Sequence, residues 1–237
     1  MRRVAIDARR PDAASLEEAA AVIKAGGIVA MPTDTLYGLA ADPFSPAAIE
    51  RVFAAKGRPA ERALPLVAAD IAQVEEQLGA LSPEARRLAA AYWPGPLTLL
   101  LPRPSTMPGE VTGGLAEVGV RVPAHAVARD LCRACGRPLT ATSANPSGAP
   151  ASADPDDVAR TMGEGVELLL DAGLTPGGPP STIVNVTGDV VFFDTSDGGR
   201  HGCATHTGLV ESVDPGGRIR FSEARGGRVR RDRKSVV

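Results

Sequence analysis

Along the first 190 residues the apolar positions switch repeatedly between a helical spacing and a period of two. SLEEAAAVIKAGG, from residue 15, has helical spacing; Ser15 with Glu18 three places on predicts a capping box, and Gly26 a stop. IVAM follows as a strand. SPAAIERVFAAKG predicts a second helix with Ser45 as N-cap and Pro46 at the first position, where a missing N–H costs no helix bond. Its Ile49, Val52 and Phe53 form one buried stripe, and the helix ends near Lys56-Gly57. ALPLVAA predicts a strand, IAQVEEQLG and SPEARRLAAAYW two helices, and the run resuming at Leu97 another strand. VGVRVP alternates strictly, so Arg121 faces away from Val120 and Val122. The helix HAVARDLCRACG, the strand PLTAT, the loop SANPSGAPASADP, the helix DPDDVARTMG and the strands VELLLDAG and STIVNVT complete the pattern.

About seven strands and six helices in alternation predict an α/β domain. Beyond Val190 the periodicity fails. The chain therefore divides into a domain over residues 1–190 and a diverged or disordered tail over 191–237.

Composition adds little to this picture. Of 237 residues, 43% are hydrophobic and 23% charged, enough for a buried core under a soluble surface. No run approaches the roughly 18 apolar residues of a membrane span, and MRRVAIDARRPD lacks the apolar centre of a secretion signal. A cytoplasmic protein with no membrane partner is expected. Cys132 and Cys135 form a C-x-x-C, but its helical surroundings point to two small packing residues, not to redox chemistry or a metal site.

Charge is uneven. Residues 211–237 hold eight Lys/Arg against four Asp/Glu, a net +4, which leaves −6 on the rest. Such a tail reads as a solvated end, with a weak tRNA contact through phosphates as the functional alternative.

Four short polar segments sit at element ends, where open α/β sheets place ligands: PTDTLYG, KGRP, TSANPSG and GPPSTIVN. Lys56 and Arg58 either complement a helix terminus or, with Pro59 restricting Arg58, present a fixed guanidinium to phosphate or carboxylate. Ser143 and Asn145 stand two apart in an extended stretch and share a side; a turn at Asn145-Pro146 is the plainer reading. There is no G-x-x-x-x-G-K-[ST] loop, G-x-G-x-x-G, G-x-S-x-G or H-E-x-x-H. Three histidines, none in a polar cluster before residue 190, weigh against a histidine base or zinc, and in favour of positioning and positive charge.

Taken in order, GGIVAMPTDTLYGLAAD, KGRP, WPGPLTLLL, VGVRVPAH, TSANPSG and STIVNVTG resemble the YrdC-like family over roughly residues 12–190. The family's paired signatures, K-x-R and S-x-N, stand here as Lys56/Arg58 and Ser143/Asn145. The resemblance implies a YrdC/RibB-like fold: a twisted, mixed, open sheet flanked by helices, with a concave ligand-binding face. It also implies the single-catalytic-domain form of an L-threonylcarbamoyladenylate synthase, a nucleotidyltransferase joining L-threonine, bicarbonate or CO2, and ATP for threonylcarbamoyladenosine in tRNA.

By the same resemblance, Lys56 and Arg58 are catalytic and face triphosphate and carbamate. Arg58, Ser143 and Asn145 take the nucleotide. Thr33, Thr35, Tyr37, Arg121 and Ser181 form the L-threonine pocket, with Arg121 on the carboxylate. Mg²⁺ accompanies ATP, no organic cofactor is implied, and the product passes to a tRNA threonylcarbamoyl transferase complex.

The chain departs from the family pattern at Arg62-Ala63-Leu64, where many relatives read N-P-L, at Ala151-Ser152, where a loop serine is offset by one, and after STIVNVTGDV. There Arg200 is the candidate for a nucleotide-contacting arginine. Two other classes fit less well. One is a non-catalytic RNA-binding protein, disfavoured by 3% aromatic residues where stacking platforms are needed. The other is a carbamoyl-transfer module, found in larger chains with further domains.

Overall fold

The first helix starts earlier than the Ser15 capping box predicts. In the computed structural model α1 runs Ala13–Lys24, and its N-cap is Asp12, whose Oδ1 accepts the Ser15 N–H at 2.8 Å. A carboxylate placed there both satisfies a free N–H and complements the positive helix terminus, so it outcompetes a hydroxyl three residues later. The structure describes residues 1–57, 63–177 and 181–185 in full, and beyond them only the backbone of residues 190–193, 206–213, 219–225 and 228–234.

The other five predicted helices form where their caps place them. These are α2 (Pro46–Lys56), α3 (Ile71–Leu78), α4 (Pro83–Tyr92), α5 (Ala126–Cys135) and α6 (Pro155–Thr161). Ser45, Asp70, Ser82 and Asp154 cap four of them through side-chain oxygens. Gly57 ends α2 at φ 58°, a left-handed turn that a side chain would strain, and this fixes Lys56 as the last helical residue.

The expected mixed α/β architecture is present, its strands divided between two mixed sheets. The first has the order β1 (Arg2–Ala5), β9 (Leu168–Asp171), β2 (Val29–Met31), β3 (Gly38–Ala40), β8 (Thr142–Ser143). The second centres on β10 (Thr182–Asn185), β5 (Leu97–Pro102), β6 (Glu117–Arg121), β4 (Leu66–Val67) and β7 (Leu139–Thr140). On its far side four antiparallel strands follow β10: β11 (Val190–Phe193), β12 (His206–Val213), β13 (Ile219–Arg225) and β14 (Arg228–Lys234).

PLTAT explains the division. Its first half pairs with β4 and its second with β3, while Ala141 between them donates its N–H to the Pro65 carbonyl at 2.8 Å. The segment thus crosses from one sheet to the other and carries Ser143 with it.

Strand residues alternate between two cores, as a period of two requires for strands covered on both faces. Ile28, Ala30, Leu66 and Leu169 join one core with α2, α3 and α4. Val29, Met31, Val67, Leu168 and Leu170 join the other with α1 and α5. Cys132 and Cys135 are buried in that second core. Burial pushes both thiols up, Cys135 to about 11, which suits packing and not redox use. Among the described residues no helix is long and apolar enough to cross a membrane.

Candidate active site

The β2–β3 connection, PTDTLY, is held open by its own hydroxyls. Thr33 Oγ1 donates to the Leu36 carbonyl at 2.6 Å and accepts the Thr35 N–H at 3.2 Å. It also lies 3.1 Å from Thr35 Oγ1. Since the one proton of Thr33 goes to Leu36, the network assigns the Thr33–Thr35 bond to the Thr35 hydroxyl as donor. Thr35 Oγ1 is then left with acceptor lone pairs.

A strap over residues 172–177 braces the same turn from outside. The Thr35 carbonyl accepts from Thr175 Oγ1 at 2.9 Å and from the Gly177 N–H at 2.8 Å. Tyr37 is 1% exposed, and its hydroxyl donates to the Gly173 carbonyl at 2.7 Å while accepting the Ala172 N–H at 3.2 Å. Burial pushes its phenol up to about 12. Tyr37 thus contributes wall to the pocket, and its hydroxyl serves the strap.

Thr33, Thr35 and Tyr37 line a cleft of about 180 Å³ together with Thr98, Arg121, Ser143 and Ser181. Six of the sequence candidates, Thr33, Thr35, Tyr37, Arg121, Ser143 and Ser181, therefore meet in one place. The register makes Thr98 and Ser181 neighbours: β10 pairs parallel with β5, Ile183 opposite Thr98, and the two hydroxyls lie 2.7 Å apart.

Arg121 ends β6 and is 8% exposed. Its guanidinium Nη2 lies 3.3 Å from Asp34 Oδ1. Burial pulls the guanidinium's pKa down and the Asp34 carboxylate pulls it up; it remains a cation at neutral pH. His125, the N-cap residue of α5, is held below its usual pKa by burial and Arg129, with Asp34 acting the other way.

Lys56 does not line the cleft. It is 4% exposed, and its Nζ donates to the Ser143 carbonyl at 2.5 Å, the Asn145 carbonyl at 2.9 Å and Asn145 Oδ1 at 3.3 Å. Asn145 Nδ2 in turn donates to the Pro146 and Ala149 carbonyls at 3.1 and 2.5 Å. The K-x-R lysine and the S-x-N asparagine, expected to face the triphosphate and the nucleotide, instead bond each other outside the cleft lining; they tie the 143–149 loop to the end of α2 and leave Ser143 to face the cleft. Ser152 lies outside the cleft lining and bonds Asp154 and Asp157 at the start of α6. Arg58, Arg62 and Arg200 lie outside the described residues.

Three participants were not assigned from sequence. Thr98 was readable as a lone polar residue inside LTLLL, and Asp34 as the one acidic residue of PTDT. Thr175, in a Gly/Pro loop, gave no signal. A larger open depression of about 650 Å³ beside α2 and α6 holds none of the candidates. Its Arg51 and Arg160 are paired with Glu167 and Asp157.

Comparison with known proteins places this cleft in context. The Sua5/YciO/YrdC family model, described as telomere recombination, matches residues 21–193. A threonylcarbamoyl-AMP synthase of Pyrococcus abyssi is 42% identical over 169 residues, which is 71% of this chain and 50% of that protein. One from Idiomarina loihiensis is 36% identical over 180 residues, 75% of this chain and 96% of its own. The crystal structure of P. abyssi Sua5 complexed with L-threonine superposes with a TM-score of 0.75 at 38% identity, covering 79% of this chain and 55% of that one. The chain thus spans about half the length of the Pyrococcus relative and nearly the whole of the Idiomarina one.

Proposed function

We propose, from the premise that the chain belongs to the Sua5/YciO/YrdC family, that its cleft makes threonylcarbamoyl-AMP from L-threonine, bicarbonate or CO2, and ATP. The observation that carries this reading is the meeting of Thr35, Arg121, Ser143 and Ser181 in one cleft, together with a relative crystallised with L-threonine.

The amine nitrogen of L-threonine attacks the carbon of CO2 and loses a proton, giving a carbamate. A carbamate oxygen then attacks the α-phosphorus of ATP, and pyrophosphate leaves. The carbamate is already an anionic nucleophile, so this second step needs positioning and charge neutralisation more than a base. Magnesium enters as part of the ATP substrate, and its chemistry is to screen the phosphates.

The chain's own residues divide the remaining work. Arg121 holds the amino-acid carboxylate at the cleft wall. Thr35 accepts a hydrogen bond from the substrate, because its own proton is committed to Thr33. The Thr98–Ser181 hydroxyl pair completes the polar lining. Ser143 faces the nucleotide on a loop that Lys56 fixes, and the buried ammonium keeps a positive charge beneath that loop, where low polarisability strengthens its field. Arg58 supplies the second cation of the pair. Hydroxyls placed for the substrate's own polar groups discriminate against analogues lacking them, whose binding leaves buried partners unpaired. The product is a labile mixed anhydride, so a tRNA-modifying transferase is the acceptor this reading requires.

Pyrophosphate release tests it. The account expects release only with ATP, L-threonine and bicarbonate together, and loss of release in Arg121→Ala. Release with carbamoyl phosphate in place of L-threonine and bicarbonate would contradict it.

A further inference from the structure

Among the described residues the Arg121 guanidinium has one ion-pair partner, Asp34. Nη2 lies 3.3 Å from Asp34 Oδ1, whereas Nη1 is buried and makes no hydrogen bond among the described residues. Asp34 Oδ1 also lacks a hydrogen bond of good alignment, and its side chain is 13% exposed. A buried guanidinium with an unsatisfied N–H costs free energy, and Arg121 is held at the cleft lining all the same.

Asp34 sits between the two threonines that line the cleft and is itself absent from the lining. A carboxylate inside the cleft would repel the substrate carboxylate. Standing outside the lining, it attracts the guanidinium without adding a negative charge to the cleft surface. Among the described residues His125 is another basic group that senses the Asp34 charge, and its Nδ1 has no hydrogen bond there. Burial favours its neutral form, so Arg121 is the cation paired with Asp34.

We propose that Asp34 is the positioning residue of the amino-acid subsite: its carboxylate, 3.3 Å from Nη2 of Arg121, holds the guanidinium at the cleft lining for the substrate carboxylate. The Thr33 bonds that fix the turn also fix Asp34, so one loop sets both the hydroxyl and the carboxylate contacts of the subsite. This inference rests on the reading of the cleft as an L-threonine site, and it adds a residue to which that reading gave no role.

Calorimetric titration with L-threonine and with L-threonine amide, in which a neutral carboxamide replaces the carboxylate, tests the proposal. Wild type prefers L-threonine. In Asp34→Asn that preference falls by about tenfold or more, while affinity for the amide changes by less than about threefold, because only the carboxylate contact is disturbed. Arg121→Lys, which replaces the planar guanidinium by a point charge, loses the preference similarly. An equal weakening of both ligands in Asp34→Asn, with the ratio kept, marks a merely structural role and overturns the proposal. So does tighter L-threonine binding, which would mean that Asp34 competes with the substrate for Arg121. A wild-type protein that binds neither ligand overturns the reading of the cleft itself.

Discussion

At Lys56 a buried ammonium meets three acceptors, two carbonyls and one carboxamide oxygen, all on the loop that carries Ser143. Lys56→Met removes the cation and strands those acceptors, a loss of about 2–3 kcal/mol in urea unfolding that a surface-facing catalytic lysine would not cause. Turnover falls as well, through a raised KM for ATP, since the loop no longer holds its shape. Tyr37 gives a second residue-level prediction. Its phenol ionises at about 12 in the folded protein against about 10 unfolded, so the folded state holds the proton more tightly. The stability this contributes is whole below pH ~10 and is lost as pH rises towards 12. Tyr37→Phe should therefore lose stability at neutral pH but show less alkaline decline than wild type over that window; parallel declines would contradict the assignment.

Helix α1 tests how caps are chosen at the scale of an element. Asp12→Ala should lower the urea midpoint, whereas Ser15→Ala leaves it nearly unchanged, because the Asp12 carboxylate is the acceptor of the Ser15 N–H. All six helices were legible in the sequence, since N-cap residues, Ser-Pro starts and a 3.6-residue apolar stripe mark them locally. Strands were less so. β1, with the pattern RRVA and mostly exposed, and β3, three residues after a polar turn, are too short to show a period. The break at Ala141 was hidden because PLTAT has strand character throughout; only its partners, β4 on one side and β3 on the other, divide it. The site shows the same split. Of the residues that line the cleft, Ser181 fell in a polar segment at an element end, whereas Arg121 was singled out only by the family resemblance. Asp34 and Thr175 act on other site residues through space, and local pattern carries no trace of that.

On the scale of the whole molecule, two mixed sheets share a crossing segment, and the cleft lies where they meet: Thr33 and Thr35 come from the β2–β3 connection of the first sheet, Thr98 and Arg121 from strands of the second, Ser181 from the residue before β10, and Ser143 from the segment that joins the sheets. A substrate bound there touches both sheets, so ligand binding should stabilise the whole fold against unfolding in proportion to its occupancy. The central claim is that this junction joins amino acid, one-carbon unit and nucleotide. The most direct measurement is mass spectrometry of the product formed from ¹³C-bicarbonate, L-threonine and ATP. The account predicts threonylcarbamoyl-AMP carrying the label in its carbamoyl carbon with wild type, and none with Arg121→Ala. Unlabelled product, or labelled product undiminished in Arg121→Ala, would contradict it.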